Sequence, residues 1–210
     1  MHTKKWFMFG FILLGVAALS GTAAYAQTDV AASLYGSFSV ATNGNGVHQS
    51  PSNSPGGLFE LRHISNPLVG YEATYAFNRA NQAYSLYPVP YPPCPSSGCG
   101  STSAAVSANA HEITGDWLIS VKAANLRPFA LAGVGLLLNE PTSGQSNSSS
   151  SNTVVYVYGA GLDWGLLPHL GLRFQFRGNV YKAPDITKAF GSTGAFAHTA
   201  EPMIGVYLRL

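Results

Sequence analysis

Only a few side chains in this sequence could do chemistry, and they do not form an obvious set. Cys94 and Cys99 are separated by four residues in a segment rich in Pro, Ser and Gly. Two thiols without nearby partner ligands are too few for a metal centre. In an exported protein, which meets an oxidising compartment, the same pair favours one local disulfide, and we predict that bond here.

Histidines and paired glycines are the other candidates. Besides His2 and His63, the chain has four scattered histidines, at His48, His111, His169 and His198. No two of them have close metal-ligand spacing, so we interpret each as solvated. Gly133-x-Gly135 and Gly159-x-Gly161 lack the third glycine and the strand-turn-helix context of a phosphate loop. We interpret them as space for bulky neighbours in a crowded interior. No catalytic, cofactor or metal site is predicted.

The first 26 residues have the features of a secretory signal peptide. Lys4 and Lys5 precede an apolar run over residues 6–19, and Ala24-Tyr25-Ala26 supplies the small-x-small cleavage pattern. A retained anchor is the alternative, but a spanning helix needs roughly 20 apolar residues. We therefore predict cleavage after Ala26, export, and a single domain over residues 27–210.

The remaining chain carries little charge. Losing Lys4 and Lys5 lowers Lys plus Arg from 11 to 9, which equals the 9 Asp plus Glu. A balanced chain has no basic excess to hold nucleic acid. Charged residues make up 10% of the sequence, against about 25% in soluble domains, while 12% are aromatic. This composition predicts a surface that is covered by something apolar.

Alternation of apolar and polar residues recurs in eight segments and predicts eight strands. The segments are 32–40, 57–64, 69–78, 111–122, 129–138, 156–164, 170–177 and 204–210. The segment 129–138 is apolar on both faces, so its facing stays open. Long polar links are expected at 43–56, 79–107, 139–152 and 181–199, and short ones at 65–67, 123–127 and 166–169. This alternation of link length is typical of transmembrane barrels, whose long loops share one end.

The charges in these segments lie opposite the large apolar residues. A soluble lipocalin-like barrel or a β-sandwich, the alternative folds, would place charge outside and apolar residues inside. We therefore predict an all-β fold, an eight-stranded antiparallel up-and-down transmembrane β-barrel with a charged interior. The predicted interior network is Glu60, Arg62, Glu72, Glu112, Asp116, Lys122, Asp163, Arg173, Arg177, Glu201 and Arg209.

Several segments together resemble the OmpA/OmpX-like outer-membrane β-barrel superfamily, in its small porin-like form. The C-terminal Gly205, Leu208 and Leu210 resemble the signal that barrel assembly machinery recognises, although the family usually ends in Phe and has a polar residue where Met203 stands. The other segments that carry the resemblance are 57–62, 66–75, 127–129 with Gly133 and Gly135, 159–164 and 172–177.

One motif resembles an enzyme. Arg62-His63-Ile64-Ser65-Asn66 is similar to the His-x-Ser-Asn motif of lipid A deacylases, a resemblance that implies His63 as base and Ser65 as nucleophile. Glu60 or Glu72 would orient the imidazole. The topology argues against it, because Ser-Asn-Pro reads as a short periplasmic turn and lipid A occupies the outer leaflet. We therefore predict a chain that is not an enzyme and needs no cofactor.

The sequence thus favours a monomeric, non-enzymatic outer-membrane protein with a structural or surface-interaction role through its external loops. Its expected partners are outer-membrane lipid and, during insertion, the barrel assembly machinery. A narrow pore for small solutes or ions is the alternative, and a lipid-modifying enzyme is a third. Nothing in the sequence identifies an external ligand.

Overall fold

Antiparallel β-strands make up the regular structure of this chain. The computed structural model describes residues 26–66, 68–86, 103–142, 147–187 and 190–210. Within these ranges, no helix is long and apolar enough to cross a membrane. The strands are β1 Gln27–Ser39, β2 Thr42–Gly44, β3 Val47–Pro51, β4 Ser54–Ile64, β5 Val69–Leu86, β6 Ser103–Ser120, β7 Leu126–Pro141, β8 Ser151–Gly165, β9 Leu170–Lys182 and β10 Phe196–Arg209.

Eight of these strands close into a barrel. Each strand from β4 to β9 pairs antiparallel with the next strand in the chain, and β1 pairs with both β10 and β4, which closes the barrel. Leu34 of β1, for example, lies opposite Ile204 on one side and Gly57 on the other. Closure leaves no unpaired edge in the barrel wall. The predicted eight-stranded antiparallel barrel is confirmed.

Alternation along each strand separates two surfaces of opposite character. On β4, Glu60 and Arg62 are buried at 3% and 0% exposure. Their neighbours Phe59 and Leu61 point outward and are 63% and 52% exposed. Trp117 of β6 is 71% exposed. The period of two therefore puts charge inside and large apolar side chains outside, the reverse of a water-soluble barrel.

The two ends of the barrel differ in their connections. At one end, which we call the short-turn end, residues 65–68, 121–125 and 166–169 link successive strands. Asn66 Oδ1 accepts hydrogen bonds from the backbone amides of Leu68 and Val69, as expected for a tight Asx-type turn. The other end, the loop end, carries the longer links. This asymmetry agrees with the link lengths predicted from the sequence.

The loop end is more ordered than the sequence indicated. Residues 43–56, expected as a polar link, contain the β2–β3 hairpin, and β3 pairs with the upper part of β5. Asn45 and Gly46 both have positive φ, as a two-residue hairpin turn of the primed type requires. The predicted link 79–107 is also shorter, because β5 continues to Leu86 and β6 begins at Ser103. These strand ends carry small and polar residues, so apolar alternation does not mark them.

A small apolar core, the loop-end cluster, lies at this end. The hydroxyl of Tyr84 donates a hydrogen bond to the carbonyl of Pro184 at 2.9 Å. This contact fastens the chain segment after β9 to the top of β5. The loop-end cluster comprises Val47, Tyr84, Val106, Ala108, Ile186 and Phe190.

The facing of β7, which the sequence left open, is resolved. Phe129, Leu131 and Leu137 are buried inside, whereas Val134 and Leu136 are exposed outside. The inward residues pack with side chains of β8, including Val155 and Val157. The inner faces of β7 and β8 are therefore apolar over much of their length, and most of the buried charged side chains project from other strands, with Asp163 of β8 as an exception.

The apolar exterior generates a folding prediction. Residues 27–210 should fold only when detergent or lipid covers the exposed leucines, phenylalanines and tryptophans. Refolding into micelles should give a β-rich circular dichroism spectrum and a gel band that shifts only after boiling. The control is dilution of the same chain into detergent-free buffer, where it should aggregate. A folded monomer in that buffer would contradict the assignment of the two surfaces.

Candidate functional site

The densest group of chemically active side chains fills the middle of the barrel. Nine of the eleven residues predicted for the interior network are buried there, and Arg209 is partly buried near the short-turn end. The nine are Glu60, Arg62, Glu72, Glu112, Asp116, Asp163, Arg173, Arg177 and Glu201. They form two groups stacked along the barrel axis.

The lower group, nearer the short-turn end, is organised by two arginines. Arg173 binds Asp163 with two hydrogen bonds, Nε to Oδ1 at 2.7 Å and Nη2 to Oδ2 at 3.0 Å. Its Nη1 reaches Glu60 at 3.2 Å. Arg62 Nε donates to Glu72 at 2.7 Å, and Nη1 reaches Asp163 at 3.2 Å. The two planar guanidinium groups thus share Asp163, which fits the preference of Arg for bidentate pairing with carboxylates.

Phe129 lies beside the lower group. The guanidinium carbon of Arg62 is 4.1 Å from the ring centroid, and that of Arg173 is 5.6 Å from it. Gly161 of β8 makes this position possible, because a Cβ there would overlap the Phe129 ring. The predicted role of Gly161 as space for a bulky neighbour agrees with this contact. The ring therefore gives both buried guanidinium groups a cation–π contact in addition to their ion pairs with carboxylates.

The upper group, nearer the loop end, has Arg177 at its centre. Its Nη2 donates to Glu112 Oε1 and to Thr114 Oγ1, each at 3.2 Å, and lies 3.6 Å from Asp116. Asn179 Nδ2 donates to the second oxygen of Glu112 at 2.9 Å. Glu201 lies close to the side chains of Asn179 and Ser37. One guanidinium therefore serves a cluster of three carboxylates.

Charge is not balanced within these two groups. Together the two groups contain three buried arginines and six buried carboxylates. The predicted network of six acidic and five basic residues included Lys122 and Arg209, and the structure places both at the short-turn end. Lys122 is exposed in the turn after β6, so it lies outside the network. Arg209 Nε is 4.0 Å from Asp29 and belongs to the barrel mouth.

Several interior polar residues lie outside the predicted network, among them Asp29, Arg127, Gln175 and Asn179. Asp29 is 1% exposed, and its strand begins earlier than the alternation indicated. Gln175 and Asn179 share the inward parity of Arg173 and Arg177, which could have found them, but they carry no charge. Arg127 precedes Pro128 at the start of β7, ahead of the predicted strand, and donates from Nη2 to Gln27 Oε1 at 2.8 Å.

The motif that resembles a lipid A deacylase is not assembled as a catalytic site. The His63 ring bonds Thr28 through Nδ1 at 3.0 Å and lies 5.2 Å from the Tyr71 ring. Ser65 is exposed in the short turn. Glu60 and Glu72 are engaged by arginines inside the barrel. These contacts argue against a base, nucleophile and orienting carboxylate acting together.

The histidines and the two cysteines were the other candidates for a metal site or a disulfide. Among the described residues, no group of three or more His, Cys, Asp or Glu side chains could hold a metal ion. His48 bonds Asn43 in the β2–β3 hairpin at 2.5 Å. Cys94 and Cys99 lie outside the described residues, so their disulfide stays a prediction.

Removing Arg173 should strongly destabilise the barrel. Arg173→Gln leaves Asp163 and Glu60 buried with fewer partners, and we expect a loss of about 3–5 kcal/mol in the free energy of unfolding. Urea unfolding in lipid vesicles, followed by tryptophan fluorescence, measures it. The matched control is Arg79→Gln, an exposed arginine of β5, which should cost no more than about 0.5 kcal/mol.

A double variant separates the ion pair from general disruption of packing. Asp163→Asn combined with Arg173→Gln should cost less than the sum of the two single changes, because it removes both charges together. Additive losses, or a loss for Arg173→Gln no larger than that of the control, would contradict the pairing.

Comparisons with known proteins find this architecture elsewhere. No protein-family model matches the sequence, and no curated protein matches it significantly. Neisserial surface protein A is 13% identical, with a TM-score of 0.57 over 89% of this chain and 99% of that one. The outer membrane protein OprG of Pseudomonas aeruginosa is 10% identical, with a TM-score of 0.53 over 89% and 97% of the two chains. This chain therefore has the eight-stranded barrel fold seen in these two solved structures.

Proposed function

We propose that this chain is an integral outer-membrane protein with a closed interior, which acts through the surface presented at its loop end. The observation that carries the proposal is the pair of obstructions along the barrel axis. The ion-pair groups fill the middle of the barrel, and the loop-end cluster lies above them. A barrel built this way offers its loops as a surface and gives little passage for solutes.

The exterior supports residence in a lipid bilayer. Large apolar side chains cover the outward face, and aromatic residues pair with histidines toward its ends. At the short-turn end this pair is His63 with Tyr71. Toward the loop end, the Tyr158 hydroxyl is hydrogen-bonded to His198 at 2.6 Å. Aromatic rings with a polar tip suit the two membrane–water interfaces.

The interior supports a structural role over conduction. A cavity of about 320 Å³ opens at the short-turn end, and one of about 40 Å³ lies between the upper group and the loop end. The two ion-pair groups separate these spaces. An ion crossing the barrel would have to displace fully buried guanidinium groups from their carboxylates, which is costly.

Orientation follows from link length. Outer-membrane barrels have short periplasmic turns and longer external loops. We therefore assign the short-turn end to the periplasm and the loop end to the cell exterior. The β2–β3 hairpin and the loop-end cluster would then form the part of the protein that meets its surroundings, in a structural or surface-interaction role without enzymatic activity.

The unmodified chain should not conduct in a planar lipid bilayer. The inserted barrel is first shown to be folded by heat-modifiability. Current recordings in about 1 M salt, an ionic strength that screens exposed charges, should then show no reproducible conductance steps. Steady, repeatable conductance steps would favour the alternative, a narrow pore for small solutes or ions.

Cysteine labelling on intact cells tests the orientation. Asn152→Cys, an exposed position at the start of β8, should react with a membrane-impermeant maleimide. Asn125→Cys, exposed in the β6–β7 turn, should react only after the outer membrane is permeabilised. The unmodified chain controls for labelling of Cys94 and Cys99. The reverse pattern would invert the proposed orientation.

A further inference from the structure

The cavity at the short-turn end differs chemically from the rest of the interior. Its volume is about 320 Å³, and it is lined in part by the turns after β6 and β8 and by the last residues of β10. Three cationic side chains line it: Lys122, Arg127 and Arg209. Lys122 and Arg127 come from the β6–β7 turn and the start of β7, and Arg209 comes from β10; each follows the inward parity of its strand.

The cations of this cavity lack sufficient carboxylate partners. Asp163 lines the cavity, but both of its oxygens already accept hydrogen bonds from Arg173 and Arg62 in the lower group. Asp29 is the remaining carboxylate, 4.0 Å from Arg209. Among the described residues, neither Lys122 nor Arg127 forms an ion pair. The cavity therefore holds an excess of basic side chains next to an interior with an excess of carboxyl groups.

The donors of the cavity are available to a ligand. Arg209 Nε is buried and has no hydrogen-bond partner among the described residues. Arg127 uses one nitrogen on the neutral amide of Gln27. The side chain of Tyr207 also lines the cavity and carries a phenolic hydroxyl. Guanidinium groups, an ammonium and a phenol that converge on one space form a donor set suited to an oxyanion.

The border of the cavity is apolar. Leu166 and Leu167, in the turn after β8, line it and are 49% and 62% exposed. Leu126, which pairs with Trp164 of β8, also lines the cavity and is 42% exposed. Exposed leucines beside a cationic pocket match a ligand with a charged head and an apolar body, since basic pockets at membrane surfaces bind anionic headgroups.

We propose that this cavity is a binding site for a phosphate group, entered from the short-turn end and held by Lys122, Arg127 and Arg209. The phosphate could belong to an anionic lipid headgroup or be free in solution, and the apolar border favours the headgroup. The site lies at the opposite end of the barrel from the loop end, so it stands independently of the proposed function there.

The test is a titration of the full mature barrel in zwitterionic micelles, followed by the backbone amide resonances of the two turns. One arm adds inorganic phosphate at constant ionic strength, with chloride as the counter-titrant. The other adds a short-chain phosphatidic acid, with the matching phosphatidylcholine as its neutral reference. We expect saturable shifts at Ala124, Asn125 and Leu167. If only phosphatidic acid gives saturable shifts, the ligand of the cavity is a lipid headgroup. If inorganic phosphate also saturates the shifts, or is the only ligand that does, the cavity binds the phosphate anion itself.

Variants connect the shifts to the three cations. Arg127→Gln should weaken binding at least tenfold, and Lys122→Gln, an exposed turn position that should not disturb folding, should weaken it several-fold. Lys182→Gln is the matched control, since it removes an exposed cation at the loop end of β9. The proposal is overturned if neither ligand gives saturable shifts, or if Lys122→Gln and Lys182→Gln change the affinity equally.

Discussion

The structure depends on the cost of burying charge in a barrel whose outer face is apolar. Arg62, Arg173 and Arg177 have no exposed surface, and an unpaired ion there would cost several kcal/mol. Pairing them requires carboxylates at fixed positions on strands around the barrel. That requirement sets the strand register, keeps Gly161 small beside Phe129, and leaves the outward positions for apolar side chains.

Much of this fold can be predicted from the sequence, because in a barrel strand the polarity of the side chains and their inward or outward direction alternate with the same period of two residues. Glu60 and Arg62 against Phe59 and Leu61 already indicate which face of β4 is interior. Alternation does not identify the inward face where the contrast between apolar and polar residues disappears. The loop-end halves of β5 and β6 carry small and polar residues on both faces, so their pairing depends on register with neighbours that no local pattern reveals.

Parity also predicts which side chains enter the interior, but not their height along the axis. Lys122 follows the inward parity of β6 and nevertheless lies exposed in the turn beyond it. Strand tilt and the point where each turn begins determine that height, and neither has a strong sequence signal. The axial separation of charge, with carboxylates in excess at the centre and cations at the short-turn end, therefore emerged only from the three-dimensional structure.

The ion pairs across the interior also impose an order on folding. Arg62 and Asp163 are 101 residues apart, and Arg173 and Glu60 are 113 apart, on strands that are not neighbours in the barrel wall. A hairpin of adjacent strands cannot form these contacts by itself, so the ion pairs stabilise the chain only after its first and last strands have met. Bringing these distant strands together costs conformational entropy before the ion pairs contribute any stabilisation. A barrel closed in the wrong register would leave buried arginines without their carboxylate partners, and the same ion pairs thus discriminate against misassembly.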